Sequence, residues 1–126
     1  MSIFGIGIDI VQIDRIESSI ERFGITFVKK ILHDNEFEKF SKLKYQGRYL
    51  AKRFAAKESF AKALGTGIVE GVSLPKIEVV NTEIGKPHLI LHDAIQEKLD
   101  MLGIRSVYLS ISDEKDYAIA QVILEK

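Results

Sequence analysis

Residues Arg53 to Gly67 read RFAAKESFAKALGTG. Four alanines in this stretch favour a helix, and a set of apolar residues recurs at helical spacing and describes one stripe. The members of this stripe are Phe54, Ala61, Leu64 and Ile68. Gly65 is typical of a helix C-cap. The stretch therefore predicts the last turns of a helix that runs into a glycine-broken loop.

Glu58 lies among small and apolar side chains of this helix. Carboxylates are seldom buried unless they are paired or bound to a metal. Lys62 follows one turn later, and Gly65-Thr66-Gly67 adds exposed backbone amides, so the stretch could hold a metal ion and a phosphate. The simpler interpretation is a surface ion pair between Glu58 and Lys62 at i,i+4, with Gly65 only ending the helix. These residues alone leave both interpretations open.

Composition bounds the class of protein. A chain of 126 residues, with 46% hydrophobic and 29% charged residues, is expected to form one domain over residues 1–126 with a genuine core. Eighteen basic and eighteen acidic residues cancel, which argues against nucleic acid as a partner. The lack of cysteine excludes disulfides and thiolate catalysis.

The start of the chain and its hydropathy predict its location. The first residues, MSIFGIGIDI, lack a basic leader, so they do not resemble a signal peptide. Apolar runs all fall short of the roughly 20 residues that a membrane helix needs. We therefore expect a cytoplasmic protein with no membrane partner.

Basic residues are concentrated between Lys42 and Lys62, a stretch that contains seven basic residues and one acidic residue, Glu58. This local excess could attract a phosphorylated or acidic partner. It is equally typical of a solvated helix face.

The first strand is predicted over Ile3 to Ile13 because of its isoleucines. Alternation places Phe4, Ile6, Ile8 and Ile10 on one face. Gly5, Gly7 and Asp9 share the other face, where glycine often marks the close approach of a ligand or another backbone. A packed helix would explain the glycines as well.

The remaining pattern predicts the order β-α-α-α-α-β-β-α-β-β, which indicates a compact α+β fold. Asp14 and Asp34 are the expected N-caps of the first and third helices, and the longest helix should run from about Tyr45 to Leu64. Gly85-Lys86-Pro87 is a turn signal between two strands. His33, His88 and His92 show no metal-ligand spacing in the sequence.

Several motifs taken together closely resemble the holo-[acyl-carrier-protein] synthases, the short single-domain branch of the 4′-phosphopantetheinyl transferases. These motifs are GIGIDIVQIDRI, RFAAKESFAKALGTG, GKP, and SISD followed by YAIAQVILE. The resemblance spans nearly the whole chain in order. It implies that the phosphopantetheine arm of coenzyme A is moved to a serine of acyl carrier protein, leaving adenosine 3′,5′-bisphosphate, in support of fatty acid biosynthesis.

The resemblance also implies roles for individual residues. Asp9 and Glu58 match the magnesium ligands of the family, and Lys62 matches the lysine associated with the transferred phosphate. Asp9, Glu58 and Lys62 are thus the implied catalytic residues. The residues implied in holding coenzyme A are Arg53, Gly65, Thr66, Gly67, Gly85, Lys86, Pro87 and Ser112. The carrier protein is expected to meet Arg15, and by charge Arg22 and Lys29.

One position departs from many relatives, which have histidine after the S-x-S/T element. Here Asp113 follows Ser112, so any role of a histidine at that position is not available. The implied chemistry is phosphoryl transfer, which depends on positioning and charge neutralisation. Magnesium suits carboxylates and phosphate oxygens, and Glu58, directly or through a metal-bound water, is the candidate base for the serine.

Two further expectations concern partners. Tyr117, Ile119, Gln121 and Ile123 give the last strand a second apolar face, which needs a partner and agrees with the homotrimer that the resemblance implies. The competing hypothesis of a different class is a non-catalytic module that binds a phosphorylated nucleotide or an acidic protein. Such a module would have no need of both Asp9 and Glu58.

Overall fold

The computed structural model describes residues 1–66 and 72–126, and all structural statements concern those ranges. The first five elements are β1 (Ile3–Gln12), α1 (Ile13–Phe23), α2 (Ile25–Lys29), α3 (Asp34–Phe40) and α4 (Gln46–Leu64). A short 3-10 helix (Leu74–Lys76) then precedes β2 (Ile77–Asn81). The last four are β3 (Pro87–Leu91), α5 (Ala94–Leu102), β4 (Ser106–Asp113) and β5 (Tyr117–Glu125). The predicted α+β class and element order are confirmed. Gly67 and Ile68 lie outside the described residues.

The strands form two antiparallel sheets. In the larger sheet β5 lies between β1 and β4, and β2 and β3 pair with each other in the smaller one. The turn between β2 and β3 contains Gly85 with a φ of 86°, which glycine tolerates best. The helices in the described ranges are all too short or too polar to cross a membrane.

Helix α4 lies directly against β1 because β1 has two glycines on that face. A Cβ added to Gly5 would lie 1.9 Å from the carbonyl oxygen of Ala63, and one added to Gly7 would lie 1.9 Å from that of Ser59. Ser59 also donates a hydrogen bond from Oγ to the carbonyl oxygen of Ala120 on β5, at 2.9 Å. The glycines of β1 therefore allow a helix to pack closely against the strand. This confirms the interpretation of the glycines as a site of helix packing.

Two hydrophobic clusters share the buried side of the larger sheet. The first joins the early helices to the first half of α4, and includes Ile16, Val28, Phe40, Leu50 and Ala55. The second joins the end of α4 to α5 and the smaller sheet, and includes Phe60, Leu64, Ile77, Ile95 and Leu124. Helix α4 thus contributes to both clusters. That residues 1–126 act as one domain remains a prediction.

The other side of the larger sheet is exposed in this chain. Ile6, Ile8 and Ile10 are 55%, 54% and 62% exposed, whereas Ala118, Ala120, Val122 and Leu124 on the inner side of β5 are buried. Phe4 was predicted to share the face of these isoleucines, and this is wrong. A register shift between Ile3 and Gly5 inserts one extra residue in the strand, and Phe4 packs against the second cluster instead.

Both predicted aspartate caps are wrong. Helix α1 begins at Ile13, so Asp14 lies inside its first turn, with Gln12 at the N-cap. Helix α3 begins at Asp34, and its N-cap is His33. The Nδ1 atom of His33 accepts a hydrogen bond from the backbone of Asn35 at 3.1 Å, and Glu36 Oε1 accepts one from the backbone of His33 at 2.9 Å.

The basic run contains a buried ion pair. Lys57 is fully buried and donates hydrogen bonds to Glu36 Oε1 at 2.5 Å and to the carbonyl oxygen of Ile31 at 2.6 Å. Burial lowers the pKa of Lys57, and the charge of Glu36 opposes this effect. The interpretation of the run as a solvated helix face is therefore wrong for Lys57, and also for the buried Arg53.

Candidate active site

Asp9 and Glu58 line one cavity of about 520 Å³. Asp9 comes from the middle of β1, and Glu58 comes from α4, which the glycines of β1 bring close. Arg15 of α1, Phe54 of α4 and Tyr117 of β5 also line this cavity. Four elements therefore meet around the two carboxylates.

The two carboxylates affect each other electrostatically. Burial raises the pKa of Glu58, the negative charge of Asp9 raises it further, and Lys62 lowers it. Placing two like charges together in a partly buried site is costly unless a cation compensates them. The two carboxylates are therefore oxygen ligands of the kind that Mg²⁺ prefers.

Lys62 contacts Asp9, one of the two carboxylates. Its Nζ donates a hydrogen bond to Asp9 Oδ1 at 2.9 Å and to the carbonyl oxygen of Ile8 at 3.1 Å. The ion pair between Lys62 and Asp9 joins α4 to β1, which the i,i+4 interpretation with Glu58 did not foresee. About half of the Lys62 side chain remains exposed, against 17% of Asp9, so its ammonium group remains accessible to an anionic substrate.

The loop after α4 begins as predicted. Gly65 is the C-cap of α4 in the left-handed conformation, with a φ of 88°, and its N–H donates to the carbonyl oxygens of Ala61 and Lys62. Thr66 is half-buried. The next glycine of the motif, Gly67, lies outside the described residues.

Arg53 is linked to the Gly85-Lys86-Pro87 turn through Asn81. Its Nη2 donates to Asn81 Oδ1 at 3.1 Å, and Asn81 Nδ2 donates to the carbonyl oxygen of Gly85 at 3.0 Å. The Arg53 guanidinium lies over the ring of Tyr49 at 4.3 Å. Among the described residues, its buried Nε has no hydrogen-bond acceptor. Two predicted coenzyme A elements thus meet at the end of β2.

Ser112 and Asp113 end β4 in different surroundings. Ser112 lies on the exposed face of the larger sheet, beside a cavity of about 370 Å³ that Ile10 and Tyr117 also line. Asp113 accepts a hydrogen bond from Arg48 at 2.7 Å and lies 3.5 Å from Lys52. The bond from Arg48 lowers the pKa of Asp113. Asp113 therefore links β4 to the basic residues of α4. Arg48 and Lys52 of this basic run are thus paired with an acid.

The three predicted carrier-binding residues lie on the early helices, at different distances from the cavity. Arg15 lines it together with Asp9 and Glu58. Arg22 is exposed at the end of α1, 5.3 Å from the ring of Phe23, and Lys29 is exposed on α2. Of the three residues, Arg15 is thus the one that lines the cavity of Asp9 and Glu58.

A second group of polar residues was missed by the sequence interpretation. His33, Glu78 and His92 each offer one ligand atom, and these atoms lie within 4.8 Å of one another. His33 and His92, which show no metal-ligand spacing in the sequence, come together in the fold. They belong to segments far apart in sequence, so no local spacing could reveal the group.

Comparison with known proteins identifies the family. A family model described as the 4′-phosphopantetheinyl transferase superfamily matches residues 5–122. The chain belongs to this superfamily. The resemblance that the motifs indicated is thus confirmed over nearly the whole length.

Individual members of the superfamily are similar over their full length. A holo-[acyl-carrier-protein] synthase of Vibrio parahaemolyticus is 54% identical, with 99% of each chain covered. A crystal structure of the synthase from Neisseria meningitidis has a TM-score of 0.94 at 44% identity, covering 98% of this chain and 99% of that one. The synthase of Bacillus anthracis, in complex with CoA (3′,5′-ADP), has a TM-score of 0.83 at 41% identity, covering 98% and 97%.

Proposed function

We propose that this protein is an enzyme that transfers the 4′-phosphopantetheine moiety of coenzyme A to a serine of apo-acyl carrier protein, in support of fatty acid biosynthesis. The observation that carries the proposal is that Asp9 and Glu58 line one cavity and that Lys62 binds Asp9, in a chain whose relatives are named holo-[acyl-carrier-protein] synthase. The carrier serine oxygen forms a bond to the phosphorus next to pantetheine. The bond from that phosphorus to adenosine 3′,5′-bisphosphate breaks.

Magnesium belongs to this proposal, with Asp9 and Glu58 as its protein ligands. When bound, the ion would neutralise charge on the pyrophosphate oxygens of coenzyme A. The raised pKa of Glu58 beside Asp9 supports a cation at this place, because a cation removes the repulsion between the two carboxylates. All donors supplied by the chain would be oxygens, as Mg²⁺ requires.

We assign Lys62 to the charge of the phosphate and Glu58 to the proton of the carrier serine. Lys62 would orient and stabilise the phosphate that accumulates negative charge as the bond breaks. Glu58 is the proposed acceptor of the proton of the carrier serine. The contact of Lys62 with Asp9 supports a role of both residues in one site.

Coenzyme A binding is proposed for the elements that flank α4. Arg53 and the Gly85-Lys86-Pro87 turn are joined through Asn81, and this link supports a shared role of the two elements in binding coenzyme A. Lys86 is exposed and suits a phosphate. Gly65, Thr66, Gly67 and Ser112 complete the proposed set.

The carrier protein is proposed to dock on α1 and α2 through Arg15, Arg22 and Lys29. Arg15 lies at the cavity itself, so a carrier held there would bring its serine to Glu58. Positive groups on this surface would accelerate encounter with an acidic carrier. A cytoplasmic location, where both substrates would be met, is part of the same proposal.

The active form is proposed to be a homotrimer. The exposed face of the larger sheet carries Ile6, Ile8 and Ile10, and Gln121 lies between Ile8 and Ser110 in the strand register. Subunits that meet through this face would cover the isoleucines and pair Gln121 with its symmetry mates. Sedimentation equilibrium tests this: a trimer that dissociates in Gln121→Glu supports it, and a monomer with undiminished specific activity on dilution contradicts it.

Release of adenosine 3′,5′-bisphosphate tests the function. The chain is incubated with coenzyme A, Mg²⁺ and apo-carrier protein, and the nucleotides are separated by chromatography. Product is expected only when the carrier is present. Coenzyme A that is bound but recovered unchanged would instead favour the non-catalytic binding module.

A further inference from the structure

We propose that His33, Glu78 and His92 form a second metal site, which binds a zinc ion independently of the Asp9–Glu58 cavity. The Glu78 Oε1 atom lies 3.6 Å from His33 Nδ1 and 2.9 Å from His92 Nε2. Ligand atoms at the usual zinc distances of about 2.0 to 2.2 Å lie roughly 3.3 to 3.6 Å apart in a tetrahedron. All three ligand atoms lie within 4.8 Å of one another, so small movements of the two histidine side chains would bring them to these separations around an ion.

The central carboxylate is held in place by its surroundings. Glu78 is a buried residue of β2, and its second oxygen, Oε2, accepts a hydrogen bond from Asn35 Nδ2 at 3.2 Å. Outer partners of this kind orient metal ligands and tune their affinity. Asn35 would be a positioning residue that leaves Oε1 to the ion.

Both histidines present nitrogen atoms toward the same carboxylate. Their rings stack with centroids 4.6 Å apart and an angle of 12° between their planes. The backbone N–H of Asn35 donates to His33 Nδ1, so this nitrogen carries a lone pair. An ion would take that lone pair in place of the N–H, while the bond from the His33 backbone to Glu36 keeps the start of α3 in place.

An ion at this site would keep an open coordination position. His33 and His92 line a surface cavity of about 300 Å³, together with Asp34, Lys76 and Asp93. Three protein ligands of the type His₂Glu, with a fourth position open to solvent, are a known zinc arrangement. Water or a small anion would complete the shell from this cavity.

The chemistry of the donors separates this site from the proposed magnesium site. Two imidazoles and one carboxylate favour zinc and its neighbours among the transition metals, whereas magnesium favours oxygen alone. The ion would also connect the start of α3, β2 and the residue after β3. An ion that binds only the folded chain stabilises it, so zinc would raise the melting temperature.

Zinc titration of the untagged protein, by calorimetry in the presence of excess Mg²⁺, tests the proposal. One zinc ion per chain is expected, with a rise in melting temperature. Loss of an outer partner costs about 10- to 100-fold in metal affinity, so His92→Ala is expected to weaken binding by at least about 100-fold and Asn35→Ala by about 10-fold. Cobalt bound in place of zinc should give the visible absorption that is typical of a low coordination number.

His88→Ala is the matched control, because His88 is exposed on the neighbouring strand and should leave zinc affinity unchanged. Glu78→Gln keeps the shape of the central ligand and should weaken binding even if His92→Ala fails to fold. Equal zinc affinity in the wild type, Glu78→Gln and a folded His92→Ala would overturn the proposal. Phosphopantetheine transfer is assayed separately, so its failure would not affect this result.

Discussion

Lys62 on α4 donates a hydrogen bond to Asp9 on β1 at 2.9 Å. This contact places a cation beside the two carboxylates of the candidate active site. The negative charge of Asp9 raises the pKa of Glu58, and the positive charge of Lys62 lowers it.

The first prediction concerns the pKa of Glu58 in metal-free protein. Burial and Asp9 raise this pKa, and Lys62 lowers it. Asp9→Asn is therefore expected to lower it, and Lys62→Met to raise it, in a titration followed by NMR of the carboxyl carbon. Lys39→Met, at an exposed position on α3, serves as the control. An unchanged pKa in both active-site variants would show that the groups are not coupled.

The second prediction concerns the buried pair of Lys57 and Glu36. Lys57→Met leaves Glu36 buried without its ammonium partner, and removal of one partner of such a pair costs about 3 to 5 kcal/mol. Urea denaturation should show this loss in the free energy of unfolding. The same change at exposed Lys39 should stay within about 0.5 kcal/mol. Equal stability of the two variants would mean that the pair contributes little.

The third prediction concerns the carrier protein. Arg15→Glu reverses a charge at the cavity that Asp9 and Glu58 line. We expect a higher Michaelis constant for the carrier that depends on salt, with little change for coenzyme A, because charged surface contacts act on encounter. Arg105→Glu, at an exposed position preceding β4, is the control. Equal losses for both substrates would assign Arg15 to the fold or to coenzyme A.

The fourth prediction uses the lowered pKa of Asp113, which the hydrogen bond from Arg48 causes. A carboxylate with a lowered folded pKa stabilises the protein above its unfolded pKa, and this stabilisation is lost as the pH falls through the folded value. Asp113→Asn should therefore cost about 0.5 to 1 kcal/mol at pH 7, since Arg48 is partly exposed.

Urea denaturation at several pH values measures this difference, which should shrink as the pH falls below about 4. Asp116→Asn, in the turn that follows β4, should show a smaller effect. A cost of Asp113→Asn that does not depend on pH would contradict the assignment.

The sequence predicted the features that depend on local pattern. The element order, the long helix α4 and its glycine cap follow from periodicity and propensity, and the glycines of β1 indicated the close approach of a helix. The family motifs singled out Asp9 and Glu58 although they lie far apart in the chain. The described geometry brings them to one cavity.

Features that depend on distant contacts were not predictable from local pattern. Glu36 accepts hydrogen bonds from Lys57 on α4 and from the backbone of Val79 on β2, so its burial depends on packing of three elements. Glu36 also accepts a hydrogen bond from the backbone of His33, which completes a capping box with His33 as the N-cap. His92 meets His33 only because the smaller sheet packs near α3.

Intact-mass spectrometry of apo-carrier protein, after incubation with this protein, coenzyme A and Mg²⁺, tests the central claim most directly. We predict that the carrier gains the mass of one phosphopantetheine group at its serine. Glu58→Gln should slow the gain by at least about 100-fold, the order lost when one stabilising group of a transition state is removed, while Glu97→Gln on α5 should not. A carrier of unchanged mass, or full transfer by Glu58→Gln, would contradict the account.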